Sequence, residues 1–324
     1  MNYIVFDLEW NQGNAGLDTE QEDIPFEIIE IGAIKLSADN QMTGQYSQLV
    51  RPQIYHELHH ITSKLIHLQM AELEKGIVFP EACLNFLDWC GDELIFCTWG
   101  PLDLTELQKN MQHYGLRQLS DRPLKYYDVQ KLFSLAFDDH KVRRTLEYAV
   151  DFLHIEKDIP FHRAFSDAYY TAKVFNHIKN KNILTYFSYD TFVKPTSRKE
   201  EIHVVFDTYA KYISRLFPDK ISAMEDREVI SCKCYLCHKN VKRKIKWFSP
   251  NGKHYYAVSL CDKHGYLKGK IRIRKAEQEQ VYVVKTEKFI TAEDVLKIKA
   301  MLLHAKEQKR TKKQKQRKTK FLPF

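Results

Sequence analysis

The chain has 324 residues, 44% hydrophobic and 28% charged, a composition that suits about two folded domains and excludes a disordered or fibrous protein. No apolar run approaches the roughly 18 residues that span a bilayer, and the first residues lack the basic stretch and cleavage site of a secretory leader, so a cytoplasmic protein with no membrane partner is expected. The net charge of +8 is unevenly placed: residues 1–185 hold 17 Lys and Arg against 27 Asp and Glu, while residues 186–324 hold 33 against 15, which points the back half at a polyanion.

In chain order, residues 3–8 read as a strand whose apolar run stops on Asp7 and Glu9. "EIIEIGAIKL" (27–36) and "GQYSQLVRP" (44–52) follow as strands, the latter ended by Pro52. Then the period changes. "FPEACLNFLDWC" (79–90) is helical, "ELIFCT" (93–98) a strand, and "DLTELQKNMQHYG" (103–115) a helix stopped by Gly115. "LKYYDV" (124–129) is a short strand leading into the helical "QKLFSLAF", and residues 144–153 and 164–178 are further helices. Three strands followed by alternating helix and strand predict an α/β mixed sheet with helices on its faces.

Past the linker "KPTSRKEE" (194–201), apolar residues at 202, 205, 206, 209, 212, 213 and 216 predict an amphipathic helix. In "VKRKIKW" (241–247), strict alternation puts Lys242, Lys244 and Lys246 on one face, and Ile245 and Trp247 on the other. "SPNG" (249–252) predicts the turn of a hairpin. "TAED" (291–294) opens a helix that runs into "KEQKRTKKQKQRKTK" (306–320), whose nine basic residues predict a disordered tail. The expected domains are therefore 1–185, a linker with a helix over 186–228, a small basic hairpin domain over 229–290, and a basic helix and tail over 291–324.

Residues two apart on a strand share a face, so Asp7 and Glu9 are like charges side by side. Either they mark the solvated end of the strand or a divalent cation lies between them, and hard oxygen donors suit Mg²⁺ or Mn²⁺. Asp103 opens a helix just after a strand, the place where ligands gather in α/β sheets; a plain N-cap is the alternative. His162 and Asp167 stand five apart at another helix start. Four carboxylates and a histidine at element ends fit a two-metal phosphodiester site, with two metals about 4 Å apart and a histidine accepting the proton of the attacking water.

The segments "FDLEW", "PFEIIEIGAIKL", "LVRP", "TWGPLDLTEL" and "HRAFSDAYYTA" resemble the DEDDh class of 3′–5′ exonucleases. They are most similar to the branch holding three-prime histone-mRNA exonucleases and bacterial sporulation-inhibitor exonucleases. The resemblance covers roughly residues 1–180. It implies a ribonuclease H-like fold with strand order 3-2-1-4-5 and two Mg²⁺ or Mn²⁺ ions held by Asp7, Glu9, Asp103 and Asp167. Asp7 would bridge the ions and His162 would be the general base. It also implies substrate contacts by Glu9, by His162 and by the backbone at Trp10, where many members have Thr. In this branch the loop after the third strand lies near the nucleic acid, so His60 and Thr62 are candidate contacts there. Glu30 and Trp99 read better as a salt-bridge residue and a core residue.

"HELHH" (56–60) contains H-E-x-x-H, but a zinc-peptidase site needs both histidines on one helix, and the helix start here is read at Thr62-Ser63. A second metal site is better founded. Cys234-x2-Cys237 and Cys261-x2-His264 flank the predicted hairpin with the spacing of a structural Zn²⁺ site in a zinc-ribbon-like domain. Cys232 and His254 are alternatives for one ligand each. Cys83, Cys90 and Cys97 read as core residues. The hairpin would display Lys242, Lys244 and Lys246 beside Trp247, Tyr255 and Tyr256, a mixture suited to single-stranded nucleic acid. The expectation is a metal-dependent 3′–5′ exonuclease acting on single-stranded ends, RNA ahead of DNA, releasing nucleoside 5′-monophosphates. A non-catalytic nucleic-acid-binding protein with a nuclease fold is the alternative, and a ribosome or protein is the alternative partner of the basic region.

Overall fold

The structure is a computed structural model that describes residues 1–13, 24–66, 68–138 and 142–319, the last eight as backbone only. It divides into two compact units, Met1–Val193 and Lys194–Phe324. Among the described residues no helix is long and apolar enough to cross a membrane.

The first unit is built on strands β1 (Asn2–Asn11), β2 (Glu27–Leu36) and β3 (Met42–Leu49), then helices α1 (His60–Ile66), α2 (Met70–Leu73) and α3 (Phe79–Cys90). There follow β4 (Leu94–Thr98), α4 (Leu102–His113), β5 (Leu124–Asp128), α5 (Val129–Phe137), α6 (Leu146–Phe152), α7 (Ala164–His177) and β6 (Ser188–Asp190). The sheet order is β3-β2-β1-β4-β5-β6. The expected order is thus present, with one strand more: β6 pairs antiparallel with β5, carrying the unit beyond the expected end at residue 185. The β1–β4 and β4–β5 pairs are parallel and the others antiparallel.

β1 lies inside the sheet and uses its two faces differently. Ile4, Phe6 and Leu8 join a core with Phe79, Phe86, Leu104 and Leu107 from α3 and α4. Tyr3, on the opposite face, meets the Phe175 ring of α7 at 5.2 Å. Asp7 and Glu9 share that second face. Cys83, Cys90 and Cys97 are buried free thiols, as expected of core residues.

The second unit is a six-stranded sheet in the order β7-β8-β12-β11-β10-β9, larger than the hairpin domain expected. Its strands are β7 (Ile202–Val205), β8 (Ala210–Ile213), β9 (Lys242–Phe248), β10 (His254–Cys261), β11 (Gly265–Lys275) and β12 (Val281–Ile290). Helices α8 (Lys220–Glu225) and α9 (Arg227–Ile230) precede β9, and α10 (Ala292–Thr319) closes the unit. The amphipathic helix expected from residue 202 is instead the β7–β8 hairpin. Its apolar residues also fit a strand, and pairing of Ile213 with Val284 in β12 settles the choice. The basic segment expected to be disordered continues α10 to Thr319; Lys, Arg and Gln are good helix formers and no Gly or Pro interrupts them. Residues 320–324 lie outside the described residues.

Strict alternation also fails in β9. Its register against β10 shifts on both sides of Ile245, two bulges in an edge strand. Ile245 packs with Val258 and Ile298. Trp247 packs on the other side with Tyr255 and Ile271, and its indole N–H donates to the Ile230 carbonyl at 3.0 Å. Lys244 and Lys246 fall at the bulges, exposed and without a register partner.

Candidate active site and metal centre

Asp7 pairs across the sheet with Gly32, and Glu9 with Glu30. Gly32 has a steric task. A Cβ there would lie 2.0 Å from the Phe165 amide nitrogen and 2.1 Å from the Ala164 carbonyl carbon. Its bare backbone lets the first turn of α7 rest directly on β2, which delivers Asp167 to the carboxylates of β1. Glu30 fixes the same turn. It is 1% exposed, receives both arms of Arg163 at 2.9 and 3.0 Å and accepts the Ala164 amide at 3.4 Å. The salt-bridge reading of Glu30 therefore holds.

Oxygens of Asp7, Glu9 and Asp167 lie within 4.8 Å of one another. Asp103 approaches from the other neighbour. The β1–β4 pairing runs as far as Val5 opposite Cys97, and the Leu8 amide further along donates to the Asp103 carboxylate at 3.3 Å. Asp103 sits inside the first turn of α4, after Pro101 at the N-cap, so it is not the N-cap itself. His162 precedes α7 in the left-handed region, with φ 65°. Its ring is exposed, and it lies near enough to Asp167 to pull that carboxyl's pKa down.

These charges oppose one another. Burial, then the neighbouring Asp103 and Glu9, hold Asp7 well above the usual carboxylate range. Burial and Asp167 push Glu9 up to about 8. Burial raises Asp103 to about 7 although the Leu8 amide works against it, and burial raises Asp167 to about 6 against the pull of His162. One oxygen of Asp167 is buried without a hydrogen-bond partner. The cation beside them, Arg163, is already paired with Glu30. An all-oxygen cluster of like charges with an orphaned acceptor fits hard divalent cations.

The other expected contacts are more committed to structure. Thr62 is buried and its hydroxyl donates to the Trp10 carbonyl at 3.3 Å. The Trp10 ring packs 5.6 Å from Phe26. Trp99 meets Phe133 at 6.1 Å. His56 lies before α1, which starts at His60 rather than Thr62, so the two histidines of "HELHH" share no helix. Sequence reasoning missed Gly32 and Arg163. A glycine inside an otherwise bulky strand was the available signal for the first.

In the second unit Cys234, Cys237, Cys261 and His264 converge. The separations are 3.3 Å from Cys234 Sγ to His264 Nδ1, 3.7 Å between the Cys237 and Cys261 sulfurs, and 3.6 Å from Cys261 Sγ to His264 Nδ1. Ligands about 2.3 Å from a tetrahedral centre stand about 3.8 Å apart, so the set fits a tetrahedral metal. Cys232 and His254 are not in this cluster. One pair sits in the turn before β9 and the other in the tight β10–β11 turn, where Gly265 has φ 89°.

A family of exonucleases, the RNase T type, matches residues 4–175, more than half of the chain. The chain belongs to this family and is of the DEDDh 3′–5′ exonuclease class. Among solved structures, the nuclease domain of 3'hExo bound to rAMP is similar at 18% identity and a TM-score of 0.47, covering 56% of this chain and 92% of that one. S. pombe Pop2p with Mg²⁺ and Mn²⁺ gives 16% and 0.42, covering 55% and 83%. E. coli exonuclease I in complex with a dA16 oligonucleotide gives 10% and 0.45, covering 57% and 42%. No curated protein sequence matches the chain.

Proposed function

We propose that the protein removes nucleotides from single-stranded 3′ ends, RNA in preference to DNA, and releases nucleoside 5′-monophosphates. The observation that carries this reading is the convergence of Asp7, Glu9 and Asp167 within 4.8 Å, with an unpartnered buried oxygen on Asp167. Asp7, Glu9, Asp103 and Asp167 are the residues that would hold two Mg²⁺ or Mn²⁺ ions. When bound, such ions supply charge neutralisation at the scissile phosphate and lower the pKa of the attacking water. His162, exposed beside Asp167, accepts the proton of that water. Its backbone is in the left-handed region, and the next residue, Arg163, is anchored to Glu30. Trp10 meets the terminal nucleotide through its backbone, Thr62 braces that backbone, and Lys242, Lys244 and Lys246 attract the strand. The preference for RNA rests on the similarity of the motif segments to the histone-mRNA exonuclease branch.

Cys234, Cys237, Cys261 and His264 hold one structural Zn²⁺. Four protein ligands leave no open position, so this ion stabilises and does not catalyse. Free thiol ligands suit the reducing cytoplasm. The test is digestion of 5′-labelled single-stranded RNA and DNA of one sequence, with Mg²⁺, with Mn²⁺ and with neither. Stepwise shortening from the 3′ end that requires a divalent ion is expected. Internal cuts, or shortening without added ion, would refute the reading, and binding without any cleavage would favour the non-catalytic alternative.

A further inference from the structure

We propose that the groove between β9 and α10 is a binding cleft for a single-stranded polynucleotide, separate from the carboxylate site. The proposal rests on the exonuclease reading for the identity of the polyanion.

One wall is the edge strand. Its two bulges leave Lys244 and Lys246 exposed along the rim. The other wall is α10. Val295, Ile298 and Leu302 form a stripe that packs with Ile245, Phe248 and Tyr266, and Ala305, one turn on, is buried. Beyond Ala305 the same row reaches Lys309, and Lys299 and Lys306, seven apart, run alongside it. The hollow so formed has a volume of about 680 Å³, with all five lysines in its lining and Phe248 and Tyr266 among the apolar residues. A second hollow of about 480 Å³ shares Trp247, Phe248, Ala305 and Lys309 with it and continues past Gly252 to Tyr255. No carboxylate lines either one.

The charge arrangement separates this groove from an ordinary solvated helix face. On a face that only solvates, acids alternate with lysines. α10 does so near its start, where Lys297 pairs with Glu293 at 2.8 Å. None of the five groove lysines makes an ion pair among the described residues. Five uncompensated cations around aromatic rings complement a chain that alternates phosphates with flat bases. An acidic peptide or a lipid surface would use the charge and leave the rings idle.

The test uses the full chain carrying Asp7→Asn, so that RNA is bound without being consumed. Anisotropy of a labelled 20-nucleotide single-stranded RNA is titrated at several salt concentrations. Lys299→Glu with Lys306→Glu, both on the exposed helix surface, should raise Kd at least tenfold and flatten the log–log salt slope by about 0.7 for each phosphate no longer neutralised. Lys→Arg at the same positions should restore both. Phe248→Ala should weaken binding without changing the slope. Unchanged Kd and slope in the charge-reversed variant, with unchanged melting, would overturn the proposal. So would displacement of the RNA by polyglutamate or anionic vesicles as efficiently, per charge, as by unlabelled RNA. Digestion by the unmodified chain, run in parallel, reports on the exonuclease reading alone, so either idea can fail while the other stands.

Discussion

Asp167 holds a buried oxygen with no donor in reach, and two further carboxylates crowd the same few ångströms. Such an arrangement favours proton uptake when no cation is present. Asp103 and Asp167 titrate near 7 and 6 and Glu9 near 8, all above the 3.8 and 4.5 of free side chains. Because the folded values are raised, their contribution to stability is full below about pH 4 and is lost as pH rises through 6 to 8. The urea midpoint of the first unit, measured without added divalent ions, should therefore fall between pH 5.5 and 8.5. Added Mn²⁺ should remove or reverse the decline; a flat profile in both conditions would contradict the raised values. Asp7→Asn should abolish turnover while keeping the fold, checked by single-turnover digestion beside circular dichroism. His162→Ala should slow the chemical step by about 10²–10⁴-fold and leave Mn²⁺ binding intact by calorimetry. The carboxylates were legible because two-residue strand spacing and helix starts are local signals. Arg163 was not, because its role depends on Glu30, 133 residues away in sequence.

α7 is positioned by what β2 lacks. Gly32→Ala puts a methyl group into the backbone of Ala164 and Phe165, so the helix must lift. Overpacking of this kind costs about 1–3 kcal/mol, and a displacement near 1 Å at a catalytic group costs on the order of 10²-fold in rate. The expected result is a lowered Tm with a loss of kcat that exceeds any change in KM. Wild-type kcat in a folded variant would show that α7 is seated by other contacts. α2 and β6, four and three residues long, are too short to show a period, but most of the other helices and strands of the first unit were readable to within a few residues from their apolar periodicity. The β7–β8 hairpin was not: apolar residues at 202, 205, 209 and 213 satisfy a helical period, and the deciding partner, β12, lies some seventy residues on. The bulges of β9 were equally hidden, since no residue type in "KRKIKW" announces them.

At the scale of the whole chain, the acidic front and basic back coincide with two units whose border is at Val193–Lys194. A cut at 194 respects that border, which falls at the start of the expected linker "KPTSRKEE", whereas a cut at the end of the expected 186–228 segment would divide the second sheet by separating β7 and β8 from β9 to β12. Removing residues 194–324 should weaken binding to long RNA and flatten its salt slope, by about 0.7 per phosphate released. Cleavage of a very short oligonucleotide should persist, because every proposed catalytic residue precedes residue 168. Retained affinity and slope on long RNA would assign the basic unit to another partner, such as a ribosome or a protein. Elemental analysis should find one zinc per chain, and Cys261→Ser should remove it and melt the second unit first; a metal-free wild type would end the zinc assignment.

The parallel pairing of β1 with β4, and the seat of α7 on Gly32, have a consequence for how the protein comes into being. Asp7 and Glu9 leave the ribosome first, and Asp167 emerges about 160 residues later, which at 5–20 residues per second is on the order of 10–30 s. Well before then β1 can pair with β2, and about sixty residues after β2 with β4, so the strands around Asp7 and Glu9 can assemble while α7 is still unmade. On the proposed function, a nascent chain cannot cut RNA until Asp167 has emerged, about halfway through the 324 residues, the messenger that encodes it included. The proposed site closes only when the last helix of the first unit settles against a strand made more than a hundred residues earlier.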